Sequence, residues 1–504
     1  MDVAHAYSYF EGIDLTAIFI FVIIFLATVL WMTCPKSDIP GPRAWPIFGN
    51  ILLVTQFNST QKRVKFVEDM TRKYGPMFRM FLGPYQIVFV QGHKNVLDVL
   101  SKRGREFMDR PTFIPGIKLG EKVKGSSGIV FANGDAWKGR RRFALQAMRE
   151  FGVGKSSLEE HILEEIEEVA DDLEKVKGEE ITNLTKVMTT ASCNNIHSFI
   201  FGYRYKHDNE SLQQLIKAIE DIFSGPGTLS ASGLFPLLNL FMIDDLKSRK
   251  EGLSKLKKYI EKHISEHREL FDPDNIRDLI DMYLVAEKEE SEQKSVMNPA
   301  ALLASIIDML AAGTDTTATT LDWSFKWMIQ YPDVQKRCQE EITKEVGPGR
   351  MVRLSDRRHL SYTEATLMEI QRLSNTSILS LPHVAVCDTT INGFKIPKNT
   401  IIMSSLISVH LDETIWKSPK EFNPGRFLNE SNDIINKEYL IPFSIGPRIC
   451  PGESLARSEL FLIFSNLLHR FEFSKVDPDD ILSFEGVSTV TTSPSPYRLK
   501  AEPR

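Results

Sequence analysis

Cys450 lies in the loop Phe443-Ser444-Ile445-Gly446-Pro447-Arg448-Ile449-Cys450-Pro451-Gly452, directly ahead of an apolar, helix-prone stretch from Glu453 to Phe464. A thiol at a helix N-terminus, beside a fixed cation such as Arg448, is held as thiolate. Thiolate is what a haem iron needs as its axial ligand if oxygen is to be activated, because its electron donation favours O–O cleavage. Gly446 and Gly452 let the backbone turn tightly and come close to a flat macrocycle. An isolated buried cysteine is ordinarily a small core hydrophobe. The loop around Cys450 is what sets this one apart.

A second constellation is Ala312-Gly313-Thr314-Asp315-Thr316-Thr317. Glycine inside a helix costs about 1 kcal/mol relative to alanine, and the β-branched threonines add strain. Such a cluster can open the helix ladder and admit a water or ligand. An acid beside an alcohol in that opening, here Asp315 and Thr316, can relay protons to dioxygen. The plainer reading is a threonine bonded back to its own helix. Trp137 and Arg141, four residues apart, share a helix face on which an indole N–H and a guanidinium suit a carboxylate. Lys138, Arg142 and Arg149 form a separate basic stripe on that helix. Glu369 and Arg372 place opposite charges at i and i+3.

These groups need elements to hold them. Asn298-Pro299 supplies an N-cap and first-turn proline for a long apolar helix reaching about Tyr331, which carries Asp315 and Thr316. Leu158, Ile162, Ile166, Val169, Leu173 and Val176 recur at spacings of four and three, predicting an amphipathic helix over 156–177 with Gly178 as its stop. Two apolar runs around Gly83-Pro84 predict a hairpin over 77–92, and strand-like pieces return at 390–406 with a turn at Pro397-Lys398-Asn399. Residues 286–297 read as an exposed charged connection. No internal repeat and no second domain boundary interrupt residues 40–504.

The chain of 504 residues has 42% hydrophobic and 25% charged residues, enough for an ordinary globular core, and its net charge of −5 gives no sign of nucleic-acid binding. Five scattered cysteines without a CxxC pair argue against a disulfide framework or zinc site and fit a reducing compartment. Leu15 to Thr33 is uncharged and long enough to span a bilayer as an uncleaved signal anchor. Asp2, Glu11 and Asp14 precede it, Lys36 and Arg43 follow, so residues 1–14 are expected in the lumen and the body in the cytosol. Sequons at Asn58 and Asn183 would then stay unmodified. The proline-rich stretch to residue 50, ending in IPGPRAWPIFGN, reads as a stiff, extended hinge before a body over 51–504.

The Cys450 loop resembles the haem-binding signature of the cytochrome P-450 family, Phe-x-x-Gly-x-Arg-x-Cys-x-Gly, at every fixed position. The likeness extends over nearly all of 39–504, including Tyr74-Gly75-Pro76, Phe201-Gly202-Tyr203-Arg204 and Ile391-Asn392-Gly393, and is nearest to animal microsomal members of family two. It implies a mainly α fold with small β-sheets, haem b ligated by Cys450, and insertion of one atom of O2 into a lipophilic organic substrate such as a fatty acid, steroid or xenobiotic. Asp315 and Thr316 match the family's oxygen-activation motif and inherit proton delivery. Glu369 and Arg372 match its Glu-x-x-Arg, completed by Arg426 in Pro424-Gly425-Arg426-Phe427, as a structural network. Gly425 departs from the acidic residue frequent there. Trp137, Arg141, His383 and Arg448 align with haem-propionate contacts. Lys138, Arg142 and Arg149 align with positions that dock a flavoprotein reductase.

The resemblance further implies the endoplasmic reticulum membrane as location, with NADPH–cytochrome P-450 reductase and cytochrome b5 as partners. Electrons come from NADPH indirectly, the chain having no convincing dinucleotide fingerprint of its own. Asp308, Ser377 and Leu381 are the substrate-pocket candidates. Asp308 is in some members a partner for basic amines and in many an ordinary hydrogen-bonding residue. Asn375 to Leu381 lacks the proline often found at Ile378, so no substrate is named. Two rivals remain: a haem-thiolate isomerase or dehydratase acting on peroxides, and a non-catalytic haem or lipid binder. Such isomerases tend to lose the acid–alcohol pair that is intact here, and a mere binder needs no basic stripe.

Overall fold

The computed structural model describes residues 15–33, 37–45, 48–54, 60–114, 127–151, 156–182, 184–223, 243–288, 297–488 and 491–504. The amino-terminal segment 1–14, both sequons and most of the charged run at 286–297 lie outside the described residues. The helices of ten residues or more are α1 (Leu15–Thr33), α2 (Thr60–Tyr74), α3 (Gly134–Glu150), α4 (Ser156–Lys175), α5 (Leu184–Phe201), α6 (Glu210–Phe223), α7 (Ile243–Glu269), α8 (Leu279–Lys288), α9 (Pro299–Gln330), α10 (Pro332–Val346), α11 (Ser361–Ser374) and α12 (Glu453–Arg470). The strands are β1 (Met77–Leu82), β2 (Tyr85–Val90), β3 (His383–Val384), β4 (Thr389–Ile391), β5 (Phe394–Ile396), β6 (Ile401–Ser404), β7 (Phe471–Lys475), β8 (Gly486–Ser488), β9 (Thr492–Pro494) and β10 (Leu499–Pro503). Helices dominate and the sheets are small, as the sequence pattern predicts.

The long helix α9 is the axis of the body. Asn298 caps it as expected, its side chain accepting from the Ala301 N–H at 2.9 Å. Its side chains are buried on nearly every face, because α5, α11, α12 and the β8–β9 hairpin pack around it. Gly313 is where α5 comes closest: a Cβ there would lie 2.9 Å from Cγ1 of Ile196. α4 covers the assembly with Leu158, Ile162, Ile166, Val169 and Leu173 buried, and ends at Lys175. Val176, read from the sequence as a sixth core position, falls in the following turn and is 39% exposed.

The larger sheet runs β1-β2-β6-β3, with β1–β2 antiparallel about Gly83-Pro84 and β2–β6 parallel. β4 and β5 turn through Asn392 and Gly393, whose φ of +49° and +82° explains the Asn-Gly pair. The described part of the proline-rich stretch is extended and stitched to β1. Arg79 N–H donates to Pro40 O at 2.8 Å, Asn50 Nδ2 donates to Arg43 O at 2.8 Å, and a Cβ on Gly41 would meet Arg79 O at 2.1 Å. That part is thus fixed against β1. In α1, Ile18 to Leu26 are exposed apolar groups. Among the described residues, no helix is long and apolar enough to cross a membrane.

Candidate active site: the thiol loop and its buried cations

Cys450 sits three residues before Glu453, the first residue of α12, in a loop closed on itself by Cys450 N–H to Phe443 O at 3.0 Å and Ile449 N–H to Gly446 O at 3.1 Å. Gly446 has φ +80°, and a Cβ there would lie 1.7 Å from Leu100 O, so only glycine fits. Gly104 returns the contact, because a Cβ on it would meet Pro447 Cδ at 2.6 Å. Gly452 differs from expectation. Its φ of −86° is open to any residue, and a Cβ would stand 3.9 Å from the Cys450 Sγ.

Burial pushes the Cys450 thiol up, against the pull of the Gly452 and Glu453 backbone N–H groups and of Arg141. The thiol is thus not held as thiolate by these groups alone, and the cation acting on it is Arg141 and not Arg448. Burial outweighs both, which leaves deprotonation to a metal, since a coordinating thiol loses its proton to the ion's own charge.

Arg448 is turned elsewhere. Its Nε donates to Met108 O and its Nη2 to Ala132 O, each at 2.7 Å, and its guanidinium lies 3.9 Å from the centroid of the Trp137 ring. Arg110, not singled out in the sequence, joins it: its Nη1 donates to Leu381 O at 3.0 Å and Pro382 O at 2.8 Å. Burial pushes Arg110 down to about 10. Burial together with Arg110 pushes Arg448 down to about 9, with Asp109 the acid that opposes it. His383 is pushed down to about 3 by burial, with Arg110 and Arg448 adding to the effect. Its Nδ1 lies 2.6 Å from Phe107 O; a carbonyl only accepts, so Nδ1 carries the ring proton. Nε2 is then a lone pair, and a contact with an anion needs a second proton on the ring.

Arg110 and Arg448 are buried and form no ion pair among the described residues, so the two cations together suit an anion. Trp137 and Arg141, on the same face of α3, have no hydrogen-bond acceptor among the described residues, so their donors are uncommitted too. The haem expected from the sequence brings one metal and two carboxylates. A thiol at a helix start beside this donor set fits both. Nothing local in the sequence marks Arg110, because its Leu381 and Pro382 carbonyl partners lie more than 270 residues along the chain.

On α9 the expected opening is absent: the helix is continuous through Gly313, and the Thr316 hydroxyl donates to Ala312 O at 2.8 Å. The glycine serves close packing against Ile196. Thr316 is nonetheless exposed, and Asp315 beside it is half-buried, its Oδ2 accepting from the Thr491 hydroxyl at 2.6 Å. Burial pushes the Asp315 carboxyl up and the Thr491 donor opposes it. Asp308 is buried and anchors a loop: its Oδ2 accepts from Ile129 and Val130 N–H at 2.8 and 2.9 Å. Those bonds give it the structural part of its two readings. Ser377 is exposed with its hydroxyl on Leu379 O at 2.9 Å, and the Leu381 side chain is exposed.

Glu369, Arg372 and Arg426 meet as one buried network. Arg372 Nε and Nη2 reach Glu369 at 2.7 and 2.8 Å, and Arg426 Nε reaches Glu369 Oε1 at 2.9 Å. Arg372 Nη1 also holds His410 O and Pro419 O, tying α11 to the segment behind the thiol loop. Lys138, Arg142 and Arg149 are all exposed on α3, on the side away from Trp137. Lys138 is paired with Asp135 at 2.9 Å.

Residues 39–501 match the sequence model of the family described as Cytochrome P450. The chain is 36% identical over 465 residues to Cytochrome P450 2C29 of Mus musculus, covering 91% of this chain and 93% of that protein. It is 32% identical over 502 residues to Cytochrome P450 2J5 of Mus musculus, covering 99% and 98%. With Cytochrome P450 2J2 of Homo sapiens it shares 34% identity over 473 residues, covering 93% and 92%.

Proposed function

The chain belongs to the cytochrome P-450 family, and from that premise we propose which residues do its chemistry and where it works. It is an oxidoreductase, a haem-thiolate monooxygenase carrying haem b. When bound, the haem supplies activation of O2, of which one atom enters the substrate and the other leaves as water. Cys450 would hold the iron as its thiolate, its charge met by the N–H groups of Gly452 and Glu453 and by Arg141. Arg110, Arg448, Trp137 and Arg141 hold the two propionates, and His383 adds a contact once its ring gains a proton. Thr316 presents its hydroxyl to the reacting oxygen. Asp315 takes protons from solvent and passes them on. Glu369, Arg372 and Arg426 keep the segment behind the thiol loop in place and touch no reactant. The observation that carries this reading is the thiol loop at the start of α12, supported by the buried Arg110 and Arg448, which form no ion pair among the described residues.

The substrate is a lipophilic organic molecule. Electrons come one at a time from NADPH through a flavoprotein reductase, with cytochrome b5 as a second donor, and Lys138, Arg142 and Arg149 are the reductase footprint. Leu15–Thr33 anchors the protein in the endoplasmic reticulum membrane, with residues 1–14 lumenal and the haem-thiolate body over 51–504 cytosolic. The uncharged helical run with its exposed apolar side chains supports the anchor.

One reconstitution tests the whole. Reduced protein with carbon monoxide should show the red-shifted Soret band of a thiolate-ligated haem, and Cys450→Ser should lose it. With reductase, NADPH and O2 it should consume NADPH and hydroxylate members of a mixed lipid, steroid and drug-like panel. Retention of the band by Cys450→Ser would remove Cys450 from the site.

A further inference from the structure

One face of α9 is bolted to the chain segment 491–497. Thr491 donates to Asp315 at 2.6 Å, Trp323 Nε1 donates to Thr492 O at 2.8 Å, and Lys326 Nζ donates to Ser495 O at 2.8 Å. Tyr497 OH donates to Asp322 Oδ1 at 2.8 Å, and Thr319 and Ser493 hydroxyls stand 3.4 Å apart. Positions 315, 319, 322, 323 and 326 recur at helical spacing, so this is one stripe meeting one segment. Four of its five contacts involve groups far from any chemistry. The fifth is Asp315, the half-buried acid next to Thr316, and it turns toward the β8–β9 hairpin.

We propose that Thr491 is a positioning residue for Asp315, its hydroxyl aiming that carboxylate so that it can take up a proton and release it to Thr316. The inference rests on the reading of Asp315 as the proton-delivering acid. Burial favours the protonated form of a carboxyl group. The Thr491 hydroxyl opposes that tendency. Other titratable groups lie on and around α9. On α9 itself, Asp308 holds the 129–130 backbone, while Asp322 is engaged by Thr185 and Tyr497. From the packed elements come Cys193 and His197 of α5, Glu459 of α12, Glu369 of α11 and Glu485 of the hairpin. None of these is among the causes that shift Asp315.

The test titrates Asp315 directly. Infrared difference spectra of the full-length ferric enzyme across pH, blanked against Asp315→Asn, report its carboxyl. Thr491→Val removes the donor and keeps the shape. A hydrogen bond to a charged group is worth enough to move the midpoint up by about one pH unit or more. Thr491→Ser should restore the parent midpoint. Thr491→Ala removes the same hydroxyl without valine's bulk and carries the test if Thr491→Val does not fold. The acid limb of NADPH-supported turnover should move up with the infrared midpoint, and more hydrogen peroxide should leak per product formed. An unmoved infrared midpoint in the hydroxyl-less variants overturns the inference. A moved midpoint with an unmoved acid limb keeps Thr491 as the carboxylate's partner but overturns proton delivery by Asp315.

Discussion

A Cβ placed on Gly313 would lie 2.9 Å from Cγ1 and 3.2 Å from Cβ of Ile196, so the two central helices touch backbone to side chain. The contact is a rigid one, because Ile196 is buried and stiff at its branched Cβ.

Gly313→Ala should therefore destabilise the protein despite alanine's better helix propensity. Overpacking costs about 1–3 kcal/mol, and the propensity gain returns about 1 kcal/mol. Adding Ile196→Ala removes the atoms in the way. Chemical denaturation of the double-mutant cycle should show coupling above about 0.5 kcal/mol. Additive losses would mean that the glycine has another purpose.

Arg372 donates twice to Glu369 and twice more to the His410 and Pro419 carbonyls, and both side chains are fully buried. Arg372→Met leaves Glu369 buried with Arg426 as its remaining cation and strands two carbonyls. The expected cost is about 3–5 kcal/mol, seen as lost folded, haem-containing protein. Glu369→Gln should cost as much, since it strands both arginines. A stable Arg372→Met enzyme with normal spectrum would show that the network is dispensable.

The contrast between these two sites marks what a sequence discloses. Glu369 and Arg372 are neighbours on one helix turn, and Cys450 shares a ten-residue loop with its turn-forming Gly446, so local spacing exposes both. The Asn298-Pro299 cap is legible for the same reason. Arg110 is not, since its partners Leu381 and Pro382 are brought to it only by the fold. Gly313 was legible as an anomaly but not as a contact: a mid-helix glycine can relieve strain or admit a neighbour, and Ile196 decides between them. Asp315 likewise announces itself beside Thr316, while Thr491 is an ordinary threonine until strand β9 lies along α9.

Glu459 is buried in α12 beside Glu165, with Thr317 as its hydrogen-bonding partner, and burial pushes its carboxyl up to about 8. The folded chain thus keeps a proton that the unfolded chain gives up near the ordinary carboxyl value of 4.5. Between those two values the native state binds more protons, so this group's contribution to stability falls as pH rises. The slope is at most about 1.4 kcal/mol per pH unit, and it vanishes above the folded value. Glu459→Gln keeps the shape without the proton. Denaturation midpoints from pH 5 to 8 should fall less steeply in the variant than in the parent. Parallel slopes would mean that Glu459 ionises normally in the fold.

The basic stripe on α3 makes unequal predictions for its three members. Lys138 already holds Asp135 at 2.9 Å, whereas Arg142 and Arg149 are exposed and carry no ion pair among the described residues. A reductase with an acidic surface would have to compete for Lys138 but would find the two arginines uncommitted. Arg142→Ala and Arg149→Ala should therefore each slow NADPH-supported turnover by about 2- to 5-fold at low salt, as expected for one exposed charge pair. Lys138→Ala should do less. The deficits should shrink as salt rises, because screening removes in the parent what the substitution removes in the variant. Turnover driven by hydrogen peroxide bypasses the reductase and should be unchanged, which separates docking from damage to Trp137 and Arg141 on the opposite face. Should peroxide-driven and NADPH-driven turnover fall together, the stripe is part of the haem site's support. If Lys138→Ala proves the most harmful of the three, the Lys138–Asp135 pair itself is the contact surface.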